Sequence, residues 1–215
     1  MTLALVPVKR LADTKSRLFT HQGGEAREAF TLAMLRDVVA ALASAESVDR
    51  TVVLTPDEEV AAAGRAVGAE ALVRDDPGLN PSLNLGARAL ALGDEPLLVV
   101  LGDVAGALPS DIDALSQTLS ALGGHGAVLA PSSDGGTSAL LRAPFDVVPP
   151  CFGPDSAKRH REASAERGVP YRELPLPSLA LDLDLPEDVE RFLRTEHGGH
   201  ETRQVLRRLG FRDLA

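Results

Sequence analysis

The sequence predicts a single-domain α/β fold with a mainly parallel central sheet. Short apolar runs of strand length alternate along the chain with longer segments whose apolar residues recur every three or four positions. Residues 97–101 form the strongest run and are apolar on both faces, which is typical of a strand covered by helices from both sides. A length of 215 residues, 44% of them hydrophobic, is ample for one core.

Each element follows from a local pattern in the chain. Apolar or β-branched runs predict strands at residues 3–8, 51–54, 71–73, 97–101, 127–130, 138–141 and 179–183. Apolar residues at helical spacing predict helices over residues 25–45, 80–92, 110–122, 155–167 and 186–195. A further helix is predicted after the second strand, with Thr55 as its cap, Pro56 at its first position and Glu58 closing a capping box.

The chain is predicted to consist of a domain over residues 1–195 and a C-terminal appendix over residues 196–215. Val205, Leu206 and Leu209 form an apolar stripe that could dock the appendix on the domain, and a partly mobile tail is the alternative. The segment 197–200 has a histidine at each end and could grip a metal ion, but its two glycines favour a flexible tail.

Composition excludes several classes of protein. Acidic residues outnumber basic ones by 31 to 22, and the net charge of -9 disfavours a nucleic-acid-binding protein. The single cysteine, Cys151, excludes an internal disulfide and a cysteine-rich zinc site. No apolar run approaches the ~20 residues that a membrane-spanning helix needs, and the N-terminal segment lacks the features of a signal peptide. We therefore expect a cytoplasmic protein that binds neither nucleic acid nor membrane.

A basic loop follows the first predicted strand. Lys9, Arg10, Lys15 and Arg17 supply four cations within nine residues of an otherwise acidic chain. Ligands of open α/β sheets bind beyond the carboxyl ends of the strands, so this loop suits a polyphosphate. A solvated basic loop would explain the charges equally well. The loop lacks the glycine patterns of dinucleotide-binding and P-loop proteins, which disfavours both classes.

Three aspartates are candidates for a metal site. Asp103 follows the strongest strand and would face the same crevice as the basic loop. Asp182 and Asp184 would lie on one face of a strand, where two carboxylates repel each other unless a cation lies between them. Mg²⁺ is the natural candidate, because it prefers oxygen ligands. If Asp182 and Asp184 are considered alone, a solvated strand end or an N-cap at Asp184 is the better interpretation. With Asp103 and the basic loop nearby, a metal site becomes the better interpretation.

Two glycine-containing segments could bind a small anion. Residues 134–138 form either a plain hairpin turn or a loop that exposes backbone N–H groups and hydroxyls. Residues 152–156 lead directly into a helix, whose N-terminus offers free N–H donors to a phosphate or carboxylate. Simple capping by Asp155 or Ser156 is compatible with such binding.

Taken together, these segments resemble the guanylyltransferases of deazaflavin coenzyme F(420) biosynthesis. That family comprises 2-phospho-L-lactate guanylyltransferase in archaea and phosphoenolpyruvate guanylyltransferase in many bacteria. The resemblance runs in order from about residue 3 to residue 195 and rests on Val6-Pro7-Val8-Lys9, Lys15-Ser16-Arg17-Leu18, Leu101-Gly102-Asp103, Asp134-Gly135-Gly136-Thr137, Phe152-Gly153-Pro154-Asp155-Ser156 and Leu181-Asp182-Leu183-Asp184. It implies a nucleotide-diphospho-sugar-transferase-like (Rossmann-like) fold that uses GTP and Mg²⁺.

The resemblance also implies roles for individual residues. Asp103, Asp182 and Asp184 would hold the metal ions and, with Lys15, form the catalytic set. The phosphorylated three-carbon acid would be bound by Thr137, Gly153 and Ser156, and the nucleotide by Lys9, Lys15, Arg17 and Asn80, with the stretch 83–86 near the base. Residues 104–107 depart from the proline and bulky residues that the family shows after the Gly-Asp step.

The leading hypothesis is therefore transfer of GMP from GTP to phosphoenolpyruvate, with handover of the product to the next enzyme of the pathway. Arginine-rich and alanine-rich composition favours a bacterial source, and hence phosphoenolpyruvate over 2-phospho-L-lactate. A nucleotidyltransferase for another phosphorylated acceptor would share the basic loop and the aspartates. A non-catalytic nucleotide-binding module would not need all three aspartates.

Overall fold

The computed structural model describes residues 1–14, 18, 23–90, 93–195 and 197–211. Its sheet has the strand order β3-β2-β1-β4-β6-β5-β7. The strands are β1 (Leu3–Pro7), β2 (Arg50–Thr55), β3 (Glu70–Val73), β4 (Leu97–Val100), β5 (Gly126–Pro131), β6 (Thr137–Ala143) and β7 (Tyr171–Glu173). Within the described chain, β6 alone runs against its neighbours, β4 and β5, while every other pairing is parallel. The predicted α/β class with a mainly parallel sheet is confirmed.

Helices cover both faces of this sheet. They are α1 (Gly23–Ser44), α2 (Glu58–Ala66), α3 (Leu79–Ala89), α4 (Pro109–Ala121), α5 (Ser156–Glu166), α6 (Pro186–Leu193) and α7 (His200–Arg208), with short 3-10 turns at Leu11–Asp13 and Pro177–Leu179. None of the helices in the described part of the chain combines the length and the apolar character needed to cross a bilayer.

Strand side chains divide between two apolar layers. Ala4 and Val6 of β1 pack in the layer formed with α1, α2 and α4, whereas Leu3 and Leu5 face the layer formed with α3 and α5. Residues of β4 alternate in the same way, as period-two geometry requires. Leu98 is fully buried in the first layer, so that truncating it to alanine would cost about 2–5 kcal/mol.

The start of α2 differs from the prediction. Asp57 is the cap, and its Oδ1 accepts a hydrogen bond from the Glu59 N–H at 2.9 Å. Thr55 cannot fill this role because it still belongs to β2, where it pairs with Val73 of β3. Asp57 Oδ2 also accepts from the Leu11 N–H at 3.0 Å and so ties the loop after β1 to this helix start.

The predicted strand at residues 179–183 is wrong. Leu179 ends a 3-10 turn, and residues 181–184 join no strand of the sheet. Strand β4, beside whose C-terminal end they lie, is already paired on both sides, with β1 and with β6. The segment instead packs beside the residues that follow β4, and the Leu183 N–H donates to the Asp103 carbonyl oxygen at 3.4 Å. Strand β7 was missed because its three residues, Tyr-Arg-Glu, carry no apolar alternation.

The C-terminal helices pack on α1. Leu206 of α7 is fully buried in a third apolar cluster with Phe30 and Met34 of α1. The carboxylate of Asp37 in α1 accepts from the first N–H groups of α7, those of Glu201 at 3.0 Å and Thr202 at 2.8 Å. The Asp37 side chain of α1 thus accepts from N–H groups at the start of α7 that have no acceptor within α7.

Candidate active site

Loops from the first four strands meet at one edge of the sheet and line an open cavity of about 470 Å³. Because β1 to β4 are parallel, their carboxyl ends lie at this edge. The strand order reverses at β1, with β2 and β3 on one side and β4 on the other, and ligands of open α/β sheets bind at such a point. Lys9, Asp103 and Asp184 all line the cavity. Gly102 permits the close approach of two loops, because a Cβ there would lie 2.8 Å from Val8 Cγ2.

Two of the three candidate aspartates, Asp103 and Asp184, line the cavity, and Asp182 lies close enough for their charges to act on it. Leu183, between Asp182 and Asp184, is fully buried and anchors the pair through its hydrogen bond to the Asp103 carbonyl. Burial, followed by the negative charges of Asp103 and then Asp184, raises the pKa of Asp182 to about 6. Among the side chains described, no three His, Cys, Asp or Glu residues stand close enough together to form a ready-made metal cage.

A hydroxyl cluster lies at the same edge, where the antiparallel strand β6 begins. The Ser156 hydroxyl, at the N-terminus of α5, donates to Thr137 Oγ1 at 2.9 Å, and His160 Nδ1 lies 3.3 Å from the same oxygen. Thr137 and Ser156 are 3% and 1% exposed. Gly153 is exposed on the turn that carries the chain into α5, and its carbonyl accepts the Ser156 N–H.

The loop of residues 132–136 connects this cluster to the aspartates. The Ser133 N–H donates to the Ala180 carbonyl at 2.8 Å, and the charge of Asp134 contributes to the raised pKa of Asp182. Hydrogen bonds from the Ser132 hydroxyl and the Gly136 N–H lower the pKa of Asp134 itself. Thr137, Gly153 and Ser156 do not line the 470 Å³ cavity, so the hydroxyl cluster lies beside it.

Asn80 has a different placement from the other candidates. Its amide donates to the Phe152 carbonyl at 3.0 Å and accepts the Phe152 N–H at 2.8 Å, which fastens α3 to the turn before α5. It does not line the cavity. In the stretch 83–86, Leu83 and Gly86 are buried. Lys15 and Arg17, the remaining predicted nucleotide contacts, lie outside the described residues.

Several residues of the site were missed by sequence reasoning. The cavity is also lined by Arg74, Asp75 and Asp76, which follow β3, and by Thr31 of α1. The rule that ligands bind after strand ends applies to β3 as well and could have identified the first three. Thr31 had no such signal, because only packing brings that helix position to the cavity.

Comparisons with known proteins give the family. The family model described as "Guanylyl transferase CofC like" matches residues 2–213 of this chain. The chain belongs to the CofC guanylyltransferase family. A phosphoenolpyruvate guanylyltransferase from Sphaerobacter thermophilus is 40% identical over 88% of this chain and 91% of its own length. One from Rubrobacter xylanophilus is also 40% identical, over 87% and 91%.

Solved structures agree with the fold of a CofC-type enzyme. A nucleotidyl transferase from Methanothermobacter thermautotroptrophicus is similar with a TM-score of 0.63 at 20% identity, covering 95% of this chain and 99% of that one. A Mycobacterium tuberculosis H37Rv protein in complex with manganese is similar with a TM-score of 0.50 at 20% identity, covering 88% and 96%. These structures confirm the predicted nucleotidyltransferase-like fold, and the family match confirms the predicted enzyme class.

Proposed function

We propose that this CofC-family enzyme transfers GMP from GTP to phosphoenolpyruvate, releasing pyrophosphate and forming enolpyruvyl-diphospho-guanosine for coenzyme F(420) biosynthesis. The observation that carries the proposal is that carboxylates at Asp103 and Asp182 stand at the same sheet edge as the hydroxyls of Thr137 and Ser156. Two relatives named phosphoenolpyruvate guanylyltransferase support the choice of acceptor. We further infer that the enzyme works in the cytoplasm and passes its product to the next enzyme of the pathway.

The acceptor would bring its own nucleophile. A phosphate monoester has its second pKa near ~6, so its oxygen is largely ionised at neutral pH and needs no general base from the protein. That oxygen would attack the α-phosphorus of GTP in line, and the bond from this phosphorus to the bridging oxygen would break as pyrophosphate leaves. The protein then contributes positioning and charge complementarity.

Two groups of residues would do this positioning. On one side, Lys9 at the cavity, together with Lys15 and Arg17 of the same loop, would contact the GTP phosphates. On the other side, the hydroxyl cluster and the exposed turn at Gly153 would hold the phosphorylated acid. Asn80 would keep that turn in place through Phe152 rather than contact the base.

The aspartates fit a divalent cation. Mg²⁺ is usually held by one or two carboxylates together with substrate phosphates, so a cage of three protein ligands is not required. Asp103 and Asp182 converge closely enough to repel each other, and Asp184 lines the cavity beside them. When bound there, Mg²⁺ would neutralise phosphate charge and align the reacting groups. The manganese-bound structural neighbour supports a divalent metal in such a fold.

The test is acceptor-dependent release of labelled pyrophosphate from GTP by the full-length protein with Mg²⁺. We expect turnover with phosphoenolpyruvate, slower turnover with 2-phospho-L-lactate and none with a sugar phosphate. Chelation by EDTA should stop the reaction, and added Mg²⁺ should restore it. If neither three-carbon acid supports pyrophosphate release, the proposal is wrong. Turnover only with a sugar phosphate would instead support a nucleotidyltransferase for another phosphorylated acceptor.

A further inference from the structure

His160 lies beneath the hydroxyl cluster and is fully buried. Its Nε2 accepts a hydrogen bond from the Cys151 N–H at 2.8 Å. A backbone N–H can only donate, so Nε2 carries no hydrogen and the neutral ring has its hydrogen on Nδ1. The Phe152 ring, edge-on at a centroid distance of 5.3 Å, holds the imidazole in this orientation.

The surroundings keep the imidazole neutral. Burial, followed by the positive charges of Arg142 and Arg159, lowers the pKa of His160 to about 4. Arg142 is itself 1% exposed and donates to the Val148 carbonyl at 2.9 Å, so it stays close to the ring. Near pH 7 the ring is therefore a fixed donor at Nδ1 and a fixed acceptor at Nε2.

This tautomer determines how the Thr137 hydroxyl is used. The Nδ1–H faces Thr137 Oγ1 at 3.3 Å and also the Ser156 carbonyl, so Thr137 cannot donate to the ring. The Ser156 hydroxyl donates to the same Thr137 oxygen at 2.9 Å. Both partners thus direct hydrogens at Thr137 Oγ1, and the hydrogen of the Thr137 hydroxyl is left to point elsewhere.

We propose that His160 is a positioning residue: its Nδ1–H and the Ser156 hydroxyl hold Thr137 so that the Thr137 hydroxyl donates to the anionic acceptor. This inference rests on the proposed function, because it needs an anion at the Thr137 site. The opposite tautomer would accept the Thr137 hydrogen and remove this donor from the substrate. The Cys151 N–H is therefore the group that sets the direction of the whole chain of hydrogen bonds.

Two substitutions separate positioning from stability. His160→Asn keeps an amide N–H near the place of Nδ1 but removes the acceptor for Cys151. His160→Gln keeps an acceptor near the place of Nε2 but removes the donor to Thr137. We expect His160→Gln to raise KM for phosphoenolpyruvate by about tenfold and to leave KM for GTP unchanged. We expect His160→Asn to unfold at lower urea concentration than His160→Gln, because the Cys151 N–H loses its acceptor. Its KM for phosphoenolpyruvate should stay within about twofold of wild type, because the donor to Thr137 is kept.

Nitrogen-15 NMR of the imidazole tests the tautomer without reference to activity. We expect a protonated Nδ1 and an unprotonated Nε2, with no titration between pH 6 and pH 8. An Nε2–H tautomer, or equal increases in KM for phosphoenolpyruvate in the two variants, would overturn the inference while leaving the proposed function standing. A wild-type protein with the expected tautomer but no turnover of either acid would overturn both the proposed function and the role of Thr137.

Discussion

Gly198 packs against the backbone of the loop that follows Asp103. Its φ is +76°, and a Cβ at this position would lie 2.5 Å from the Gly106 carbonyl oxygen and 3.1 Å from the Gly106 Cα. These neighbours are backbone atoms and cannot rotate away. The absence of a bulky side chain at Gly106 therefore has a physical reason, since it admits the glycine segment before α7 behind the loop that follows Asp103.

We predict that Gly198→Ala destabilises the protein and also impairs catalysis. The left-handed backbone costs an alanine about 1–2 kcal/mol, and the clash with Gly106 adds about 1–3 kcal/mol. The matched control is Gly123→Ala, because Gly123 has a φ of +87° but no atom within 4 Å of its virtual Cβ. The control should lose only the first of these two contributions.

Urea unfolding of both variants at one protein concentration measures the difference between them. Pyrophosphate release measures the effect on catalysis, because relief of the clash moves Gly106 and with it Asp103. A displacement of about 1 Å at a reacting group can lower kcat by up to about a hundredfold. If Gly198→Ala unfolds at the same urea concentration as Gly123→Ala and keeps full kcat, the packing argument is wrong.

Three further predictions follow from individual contacts. Asp103→Asn should lower kcat by about a hundredfold or more without changing the urea midpoint. The control Asp94→Asn, at an exposed residue near the opposite end of β4, should change neither quantity. Equal kcat values for the two variants would contradict a metal-binding role of Asp103. Asn80→Ala should raise KM for phosphoenolpyruvate by about tenfold through the loss of both bonds to Phe152, whereas a rise in KM for GTP would indicate contact with the base. Burial raises the pKa of Asp37 above 3.8, so this carboxyl binds more protons in the folded state than in the unfolded chain just above pH 3.8, and its contribution to the free energy of unfolding should fall as pH rises through that window. Asp37→Asn should remove this contribution, so the free energy of unfolding from urea should fall less, or rise more, with pH across the window than in the wild type, and an unchanged slope would contradict the assignment.

The alternation of strands and helices was predictable because it is local. Apolar periodicity depends on neighbours a few residues apart, and the buried run at 97–101 needs no tertiary information to indicate a covered strand. Errors arose where tertiary pairing decides the outcome. Residues 179–183 have a strand pattern, yet the paired edges of β4 leave them no place beside it in the sheet. The short polar strand β7 forms only because β5 offers it an edge.

The candidate site divides in the same way. Chemistry that resides in a residue type was visible in the chain. Asp103 could be selected from its position after a strand and the hydroxyl of Thr137 from its glycine loop, whereas Asp182 was selected from its spacing to Asp184 in a strand that the structure does not contain. Contacts between distant segments were not visible. Packing alone turns Asn80 to the Phe152 backbone, buries His160 under Thr137 and places Gly198 against Gly106. Each of these contacts joins residues that are far apart in the chain, so no local pattern could indicate it.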